Sequence, residues 1–265
     1  MSTPSRLRRF AALAILGLSL GPPAFRPAAA GEAHLYLAPY LQQARLTGDA
    51  MLTGGEGPAG TQLDLEETLG VDPEQDVRGV DGFFKLAGSR IEFSYAQAAI
   101  DERSRLAEQV IINGTTFAAD ERIDSEIDLT RYKLMYGFDF SFKVVNVGFL
   151  VGGHLIDVEA VVESSSGALE EQDLRVPIPV VGATLGIHPV SRLAIHAEVS
   201  GFSATVSGVE ATLLDGFAGV DVLFIPKLGV SLGYRYFAFD AEDEDEQDAV
   251  DITQRGPYVG LALHL

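Results

Sequence analysis

Three residues of the kinds that serve a serine hydrolase stand at alternate positions of one segment: His196, Glu198 and Ser200. In an extended strand, alternate residues share a face and lie about 6.6 Å apart, so the three side chains point the same way. A serine nucleophile needs a hydrogen bond of about 3 Å to its base, and this spacing alone does not provide one. We therefore interpret the segment as one polar face of a strand, and we predict that the protein is not an enzyme.

An acidic run is the second candidate site. Between Asp240 and Asp251, six of the seven residues 242–248 are acidic. Carboxylates are the ligands that Ca²⁺ and Mg²⁺ prefer, but the run contains no glycine and lacks the spacing of an EF-hand. The pattern predicts a solvated acidic loop. We expect no metal site and no cofactor, although such a loop could bridge to lipopolysaccharide phosphates through divalent ions.

The N-terminal segment 1–30 has the three parts of a signal peptide. Arginines 6, 8 and 9 precede the apolar segment 11–20, and alanines 28–30 form a small-residue cleavage site. The apolar segment 11–20 is too short to span a bilayer. Residues 31–265 then form a single predicted domain. Removal of residues 1–30 takes away four of the 19 basic residues and none of the 38 acidic ones, so the mature chain has a net charge of −23.

Composition excludes two further classes of function. A net charge this negative excludes nucleic acid as a partner, since phosphate binding depends on basic side chains. The chain has no cysteine, which excludes disulfides, thiolate metal sites and a thiol nucleophile.

The rest of the chain alternates apolar and polar residues in segments separated by turn signals, which predicts strands. Short connections alternate with longer, more acidic ones. The predicted strands are 34–43, 77–86, 90–100, 127–140, 144–158, 175–187, 192–205, 211–224, 228–239 and 251–265.

An apolar face and a polar face on every strand of an exported chain favour a closed barrel in an outer membrane. We therefore predict an all-β protein, a closed antiparallel transmembrane β-barrel of about ten strands, with eight or twelve as alternatives. A soluble sandwich is the competing interpretation of the alternation. It accounts less well for the signal peptide and for the apolar last strand.

Aromatic residues on the apolar faces support the membrane interpretation. Tyr132 and Phe140 are eight residues apart, about 26 Å along a strand and about 20 Å vertically after tilting. This span approaches the apolar band of about 25 Å that aromatic girdles border in such barrels. The predicted girdle residues are Phe84, Tyr95, Tyr132, Phe140, Phe224 and Tyr236.

The polar faces place charges of both signs inside the barrel. Such charges must be paired or hydrated, so the lumen is either an ion-paired structural interior or a water-filled path for small polar solutes. The predicted lumen-facing polar residues are Asp81, Lys85, Glu92, Arg131, Lys133, Asp139, Arg192, His196, Glu198, Asp215, Asp221 and Arg235.

Particular segments resemble a known group. The last strand, Gly256-Pro-Tyr-Val-Gly-Leu-Ala-Leu-His-Leu265, resembles the C-terminal assembly signal of bacterial outer-membrane β-barrel proteins, with Leu265 where that signal usually has Phe. The segments 63–70, 131–138 and 230–236 resemble small barrels of this kind in Gram-negative bacteria. The resemblance implies insertion by the barrel-assembly machinery, a place in the outer membrane, and contact with its lipid and lipopolysaccharide.

Taken together, the sequence predicts a non-enzymatic outer-membrane barrel with a structural role or with passive passage of small polar solutes. Two alternatives stay open. One is an outer-membrane enzyme acting on lipid A or peptide, because lipid A deacylases are small barrels that use a His, a Ser and an acid. The other is a barrel for surface adhesion through its acidic loops.

Overall fold

The computed structural model describes residues 33–51, 61–112, 115–206, 209–243 and 248–265. All of its regular elements are β-strands. They are β1 (His34–Met51), β2 (Gln62–Asp64), β3 (Glu74–Leu86), β4 (Ser89–Arg105), β5 (Val110–Ile112), β6 (Thr115–Phe117), β7 (Arg122–Phe142), β8 (Val145–Ser164), β9 (Leu169–Val190), β10 (Leu193–Val206), β11 (Val209–Ile225), β12 (Leu228–Asp243) and β13 (Asp248–His264).

Ten long antiparallel strands form a closed barrel, which confirms the predicted fold class and strand number. Each long strand pairs with the next long strand in the chain, and the last, β13, pairs with β1 from Tyr36↔His264 to Met51↔Ala249. Closure pairs the edges that an open sheet would expose. The three short strands lie outside this ring: β2 pairs only with β1, and β5 pairs with β6.

The two ends of the barrel differ in their connections. Four two-residue turns close one end, at residues 87–88, 143–144, 191–192 and 226–227. In the first turn Ala87 and Gly88 both have positive φ, 51° and 85°, the geometry that two-residue hairpins favour. Both barrel termini lie at this end, where Leu35 and Leu265 exchange backbone hydrogen bonds. Short turns mark the periplasmic end of outer-membrane barrels, and we call the opposite end the loop end.

The strands continue further toward the loop end than the sequence pattern predicts, and their polarity reverses there. Along β7, the outward side chains of residues 132–142 are exposed tyrosine, phenylalanine and leucine, next to inward polar groups. In residues 122–130 the outward side chains are charged or hydroxyl-bearing, whereas the inward Ile123 and Leu129 are buried. The first part matches a membrane and the second matches water outside with an apolar core inside. The sequence-based prediction ended this strand near the polarity change.

Two segments between strands form a cap over the loop end. They are the described residues 61–71 and 106–121, which bond to each other through Thr61 N to Ile111 O at 3.0 Å and Ile111 N to Thr61 Oγ1 at 3.0 Å. Their buried apolar side chains join inward barrel side chains such as Ile100 and Ile123 in one cluster, with Phe117 fully buried. The cap is therefore held by the apolar interior of the extended strands.

A hydrogen-bonded carboxylate ties this cap to the β8–β9 turn. Glu121 Oε1 accepts from Ser166 N and Glu121 Oε2 accepts from Ala118 N, both at 3.0 Å. Hydrogen bonds from the Ser166 side chain first, and then from the Ala118 N–H, lower the pKa of Glu121, because they favour the ionised carboxylate.

Pro39 lies within a strand that is paired on both sides, and it marks neither an edge nor a bulge. β1 is paired on both sides, and its register with β13 is the same before and after the proline, at Leu37↔Leu263 and Tyr40↔Gly260. Between these two pairs, the ladder to β13 is interrupted where proline has no N–H to donate.

The predicted signal peptide 1–30 and the glycine-rich part of the first predicted loop, 54–58, lie outside the described residues. Within the described ranges, no helix is long and apolar enough to cross a membrane.

Candidate functional site

Ten charged side chains converge inside the barrel, five cations and five anions. We call this set the charged layer, and most of its members are buried although every one carries a formal charge. It consists of Asp81, Lys85, Arg90, Glu92, Arg131, Lys133, Asp139, Glu198, Asp215 and Arg235.

Lys133 is the centre of this network. Its Nζ lies 2.5 Å from Glu198 Oε1, 3.1 Å from Glu92 Oε1 and 3.5 Å from Asp215 Oδ2, and its side chain is 2% exposed. Arg90 adds a second bond to Glu92, at 2.5 Å. Four strands thus supply one interaction set, in which each buried carboxylate faces a cation. Buried ions are tolerated only with such partners.

Two arginines fill the remaining cross-section. Arg235 pairs with Asp81, and its guanidinium lies 4.5 Å from the Tyr40 ring centroid. Arg131 donates to Gln254 Oε1 at 2.6 Å and stacks 3.9 Å from the Phe237 ring centroid. Aromatic faces attract such cations, so each guanidinium is stabilised by an oxygen acceptor and a ring.

A cavity of about 680 Å³ lies on the periplasmic side of the charged layer. Four of the five histidines line it: His34, His188, His196 and His264. Asp221 lies among them, with its Oδ2 3.7 Å from His196 Nδ1 and 3.8 Å from His264 Nε2. We call this cavity the vestibule. Within the described part of the chain, no three His, Asp or Glu side chains are placed to hold a metal ion.

The order of compartments is the same along different strands. On β7, Leu129 lines an apolar cavity near the loop end, Lys133 lies in the charged layer and Ser141 lines the vestibule. On β4, Ile100 lines the apolar cavity, and Glu92 and Arg90 of the charged layer border the vestibule. One small gap within the layer, lined by Arg131, Lys133, His154, Asp215 and Arg235, measures about 10 Å³, about the space of one water molecule.

The structure places nine of the twelve predicted lumen residues in the charged layer. His196 and Asp221 line the vestibule. Arg192 is the exception, because it lies exposed in the turn between β9 and β10 and not inside the barrel. The strand was predicted to begin at residue 192, but it begins at Leu193.

Besides the vestibule histidines His34 and His264, the inward residues Arg90 and His154 were not among the predicted set. Arg90 shares the inward face of Glu92, so the alternation already indicated its position. His154, which is 4% exposed, lies 3.9 Å from Asp215 through its Nε2. His154 is two residues after Gly152 on the polar face of the strand. This alternation could have indicated from the sequence that His154 points into the lumen.

The three hydrolase-type residues do not form a nucleophile–base pair. Glu198 is bound to Lys133, whereas the His196 Nε2 lies 3.3 Å from the Tyr258 hydroxyl. Ser200 is 1% exposed, and its Oγ has no hydrogen-bond partner among the described residues. On this strand face the three side chains contact different partners, and among the described residues neither His196 nor Glu198 forms a hydrogen bond to the Ser200 hydroxyl.

All six predicted girdle residues face outward. Phe84, Tyr132, Phe140 and Phe224 are exposed, and Tyr95 is half-buried against Tyr132 with ring centroids 5.4 Å apart. Tyr236 is half-buried on the outer face of β12. Further exposed aromatic residues on the same surface are Tyr136, Phe138, Phe142, Phe149 and Tyr234.

A row of aspartates crosses three strands on the outer face of the loop end. Asp251 stands directly opposite Asp240 on one side and Asp49 on the other. Burial, followed by repulsion from Asp240 and Asp49, raises the pKa of Asp251. Like charges placed opposite one another destabilise a sheet, so this row opposes folding at neutral pH.

We expect Asp251→Asn to stabilise the barrel at pH 7 by a few tenths of a kcal/mol, the scale of one cross-strand charge pair. The raised pKa means that ionisation of Asp251 destabilises the fold as the pH rises. The gain should therefore vanish below pH 3.8, the ordinary pKa of aspartate. Denaturant midpoints at both pH values measure it. The exposed Glu108→Gln is the control for loss of one charge, and an equal gain there would contradict the account.

The comparisons with known proteins bear on the fold alone. No protein-family model and no curated protein matches the chain. Among solved structures, the outer membrane protease OmpT from Escherichia coli is similar at a TM-score of 0.56, with 8% identity over 91% of this chain and 99% of that chain. At this identity the likeness shows the fold alone.

Two further solved structures are similar at lower scores. The attachment invasion locus protein Ail of Yersinia pestis has a TM-score of 0.40, with 13% identity over 89% of this chain and 100% of that chain. The toluene transporter TodX of Pseudomonas putida has a TM-score of 0.32, with 9% identity over 89% and 90%.

The fold and its surface define the class of protein. A closed barrel satisfies every backbone group along its strands, and an apolar exterior band suits it to lipid. Both features are present, together with short turns at one end. The chain is therefore a β-barrel of the outer membrane of a Gram-negative bacterium.

Proposed function

We propose that this protein is a non-enzymatic barrel with a structural role, whose lumen is sealed by the charged layer. The observation that carries the proposal is the ion-paired cross-section at Lys133, Arg131 and Arg235, where the gap that their side chains line measures about 10 Å³. A hydrated ion or a sugar needs far more space than one water molecule. Passive passage of small polar solutes, the other role considered, is disfavoured by the same cross-section.

Pairing within the layer supports a permanent seal. Each carboxylate of the set lies within 4.0 Å of a lysine or arginine nitrogen. Separating such a pair in a buried site leaves both charges without compensation, which is costly. Thermal fluctuations at single positions therefore do not open a path.

Single-channel recording tests the seal. Residues 31–265 refolded into lipid vesicles, with folding verified by the heat-dependent gel shift of barrels, are fused with a planar bilayer. We expect no stepwise current, because ions have no hydrated route across the layer. The gel shift, measured on the same vesicles, distinguishes a folded barrel that carries no current from vesicles that contain no folded barrel. Reproducible steps that scale with the folded fraction would contradict the proposal.

The separation of Ser200 from His196 supports the absence of catalysis. We expect the purified barrel to leave lipid A and peptide substrates unchanged over prolonged incubation, as judged by mass spectrometry. Turnover that His196→Ala abolishes, while the gel shift is retained, would instead establish the enzymatic alternative.

A further inference from the structure

The loop-end cavity differs in character from the rest of the lumen. It measures about 170 Å³ and lies between the cap and the charged layer. Its walls include Leu65 and Leu69 from the cap and Ile127, Val158 and Ala241 from the barrel. Outer-membrane barrels ordinarily have polar interiors, so an apolar interior cavity needs its own explanation. We call it the apolar chamber.

The floor of the chamber separates it from the charges below. Phe239 lines the chamber, and Phe237, two residues further along the inner face of β12, stacks on the guanidinium of Arg131. Both rings are at most 5% exposed. These rings lie between the chamber and the charged layer, so the loop end is the route of entry that we infer for a guest.

Size and charge define the guest that fits. An engineered apolar cavity of about 150 Å³ in another protein stays dry and binds benzene, and the chamber has a similar volume. Three acidic residues border it in the described part of the chain: Glu170 lies on the inner face of β9, whereas Asp49 and Asp251 belong to the outer-face row described above. Glu170 accepts a hydrogen bond from Thr115 Oγ1. An acidic border disfavours anions by repulsion and leaves uncharged molecules unaffected.

We propose that the apolar chamber is a binding site for an uncharged apolar molecule about the size of benzene, taken up from the loop end. This inference goes beyond the sealed structural barrel and does not depend on it. A current through the lumen would overturn the seal and leave the chamber untouched, whereas the binding experiment reports on the chamber alone.

The absence of tryptophan from the natural sequence allows a direct test. Phe239→Trp places a single fluorophore in the chamber wall, and bromobenzene quenches indole on contact through its heavy atom. In detergent micelles we expect quenching that saturates and that benzene reverses by competition. In the same background, Ala241→Leu fills the chamber and should weaken binding at least tenfold. 4-Bromobenzoate should also bind at least tenfold more weakly.

The matched control is Phe149→Trp, whose side chain is 62% exposed on the membrane face. Partitioning of bromobenzene into the micelle should quench this indole without saturation. The proposal would be overturned if the quenching curve of Phe239→Trp had the same slope and shape as that of Phe149→Trp and did not change when Ala241→Leu was added.

A second measurement covers the case in which Phe239→Trp does not fold. The natural barrel and Ala241→Leu are heated with and without benzene, and the unfolding midpoint is followed by the gel shift. A guest that binds the folded state raises the midpoint, so benzene should raise it for the natural barrel and less for Ala241→Leu. Equal shifts would contradict a chamber site, since micelle effects act on both proteins alike.

Discussion

Lys133→Ala is expected to destabilise the barrel by about 3–5 kcal/mol, the range for breaking a buried ion pair by removing one partner. The lysine is 2% exposed on its side chain and faces Glu92, Glu198 and Asp215 at once. Its removal leaves three carboxylates in a dry layer with Arg90 as the nearest remaining cation for two of them. The free energy of unfolding should fall because these charges lose their compensation while they stay buried.

Denaturant titration in lipid vesicles, read by the gel shift between folded and unfolded barrel, measures this loss. Lys227→Ala is the matched control, because Lys227 is an exposed lysine in a periplasmic turn, where a single charge contributes little. A loss below about 1 kcal/mol for Lys133→Ala would show that the layer is hydrated and not sealed.

Val151→Arg is expected to cost about 2–4 kcal/mol, the penalty for arginine at the midplane of a bilayer. Val151 is 52% exposed on the outer face, and its cross-strand neighbours are Tyr136 and Val181. All three lie in the apolar band. An arginine there exposes a charge to hydrocarbon, far from either water interface.

The control for this change lies eight residues further along the same face of the same strand. Glu159 stands between Asp128 and Asp173, so Glu159→Arg replaces a repulsive row by an attractive one. We expect no loss of stability there. Similar penalties at both positions, measured by the same vesicle titration, would mean that the band does not end near Tyr132.

The architecture was predictable because one strand face must satisfy lipid and the other must satisfy the lumen. This demand produces a period-two pattern that a single sequence shows, for example at Tyr132, Leu134 and Phe138 against Arg131 and Lys133. The number of strands followed from the same pattern. Strand ends did not, because near the loop end the inward side becomes apolar and the outward side polar.

The ion-pair partners within the lumen could not be predicted. The alternation of apolar and polar residues shows which face of a strand a residue lies on, but not which residue it contacts across the interior. Arg235 and Asp81 are 154 positions apart in the chain, yet they form an ion pair across the interior. Lys133 and Glu198 are 65 positions apart. Such contacts depend on barrel closure, on strand register and on the side-chain lengths that meet in the interior. For the same reason, the apolar chamber had no local signal.

Sided labelling of a cysteine in the vestibule tests the seal most directly, since the natural chain has no cysteine of its own. Ser141→Cys places a thiol among the vestibule residues, and Glu108→Cys places one on the exposed cap. A charged, membrane-impermeant thiol reagent is added outside sealed vesicles that carry one or the other variant. The Glu108→Cys signal then counts the barrels whose loop end faces outward.

A sealed lumen predicts that the labelled fraction of Ser141→Cys equals the fraction of Glu108→Cys that escapes labelling, because each thiol is reached from one side only. Complete labelling of Ser141→Cys, together with partial labelling of Glu108→Cys, would mean that the reagent crosses the charged layer, and it would contradict the sealed barrel.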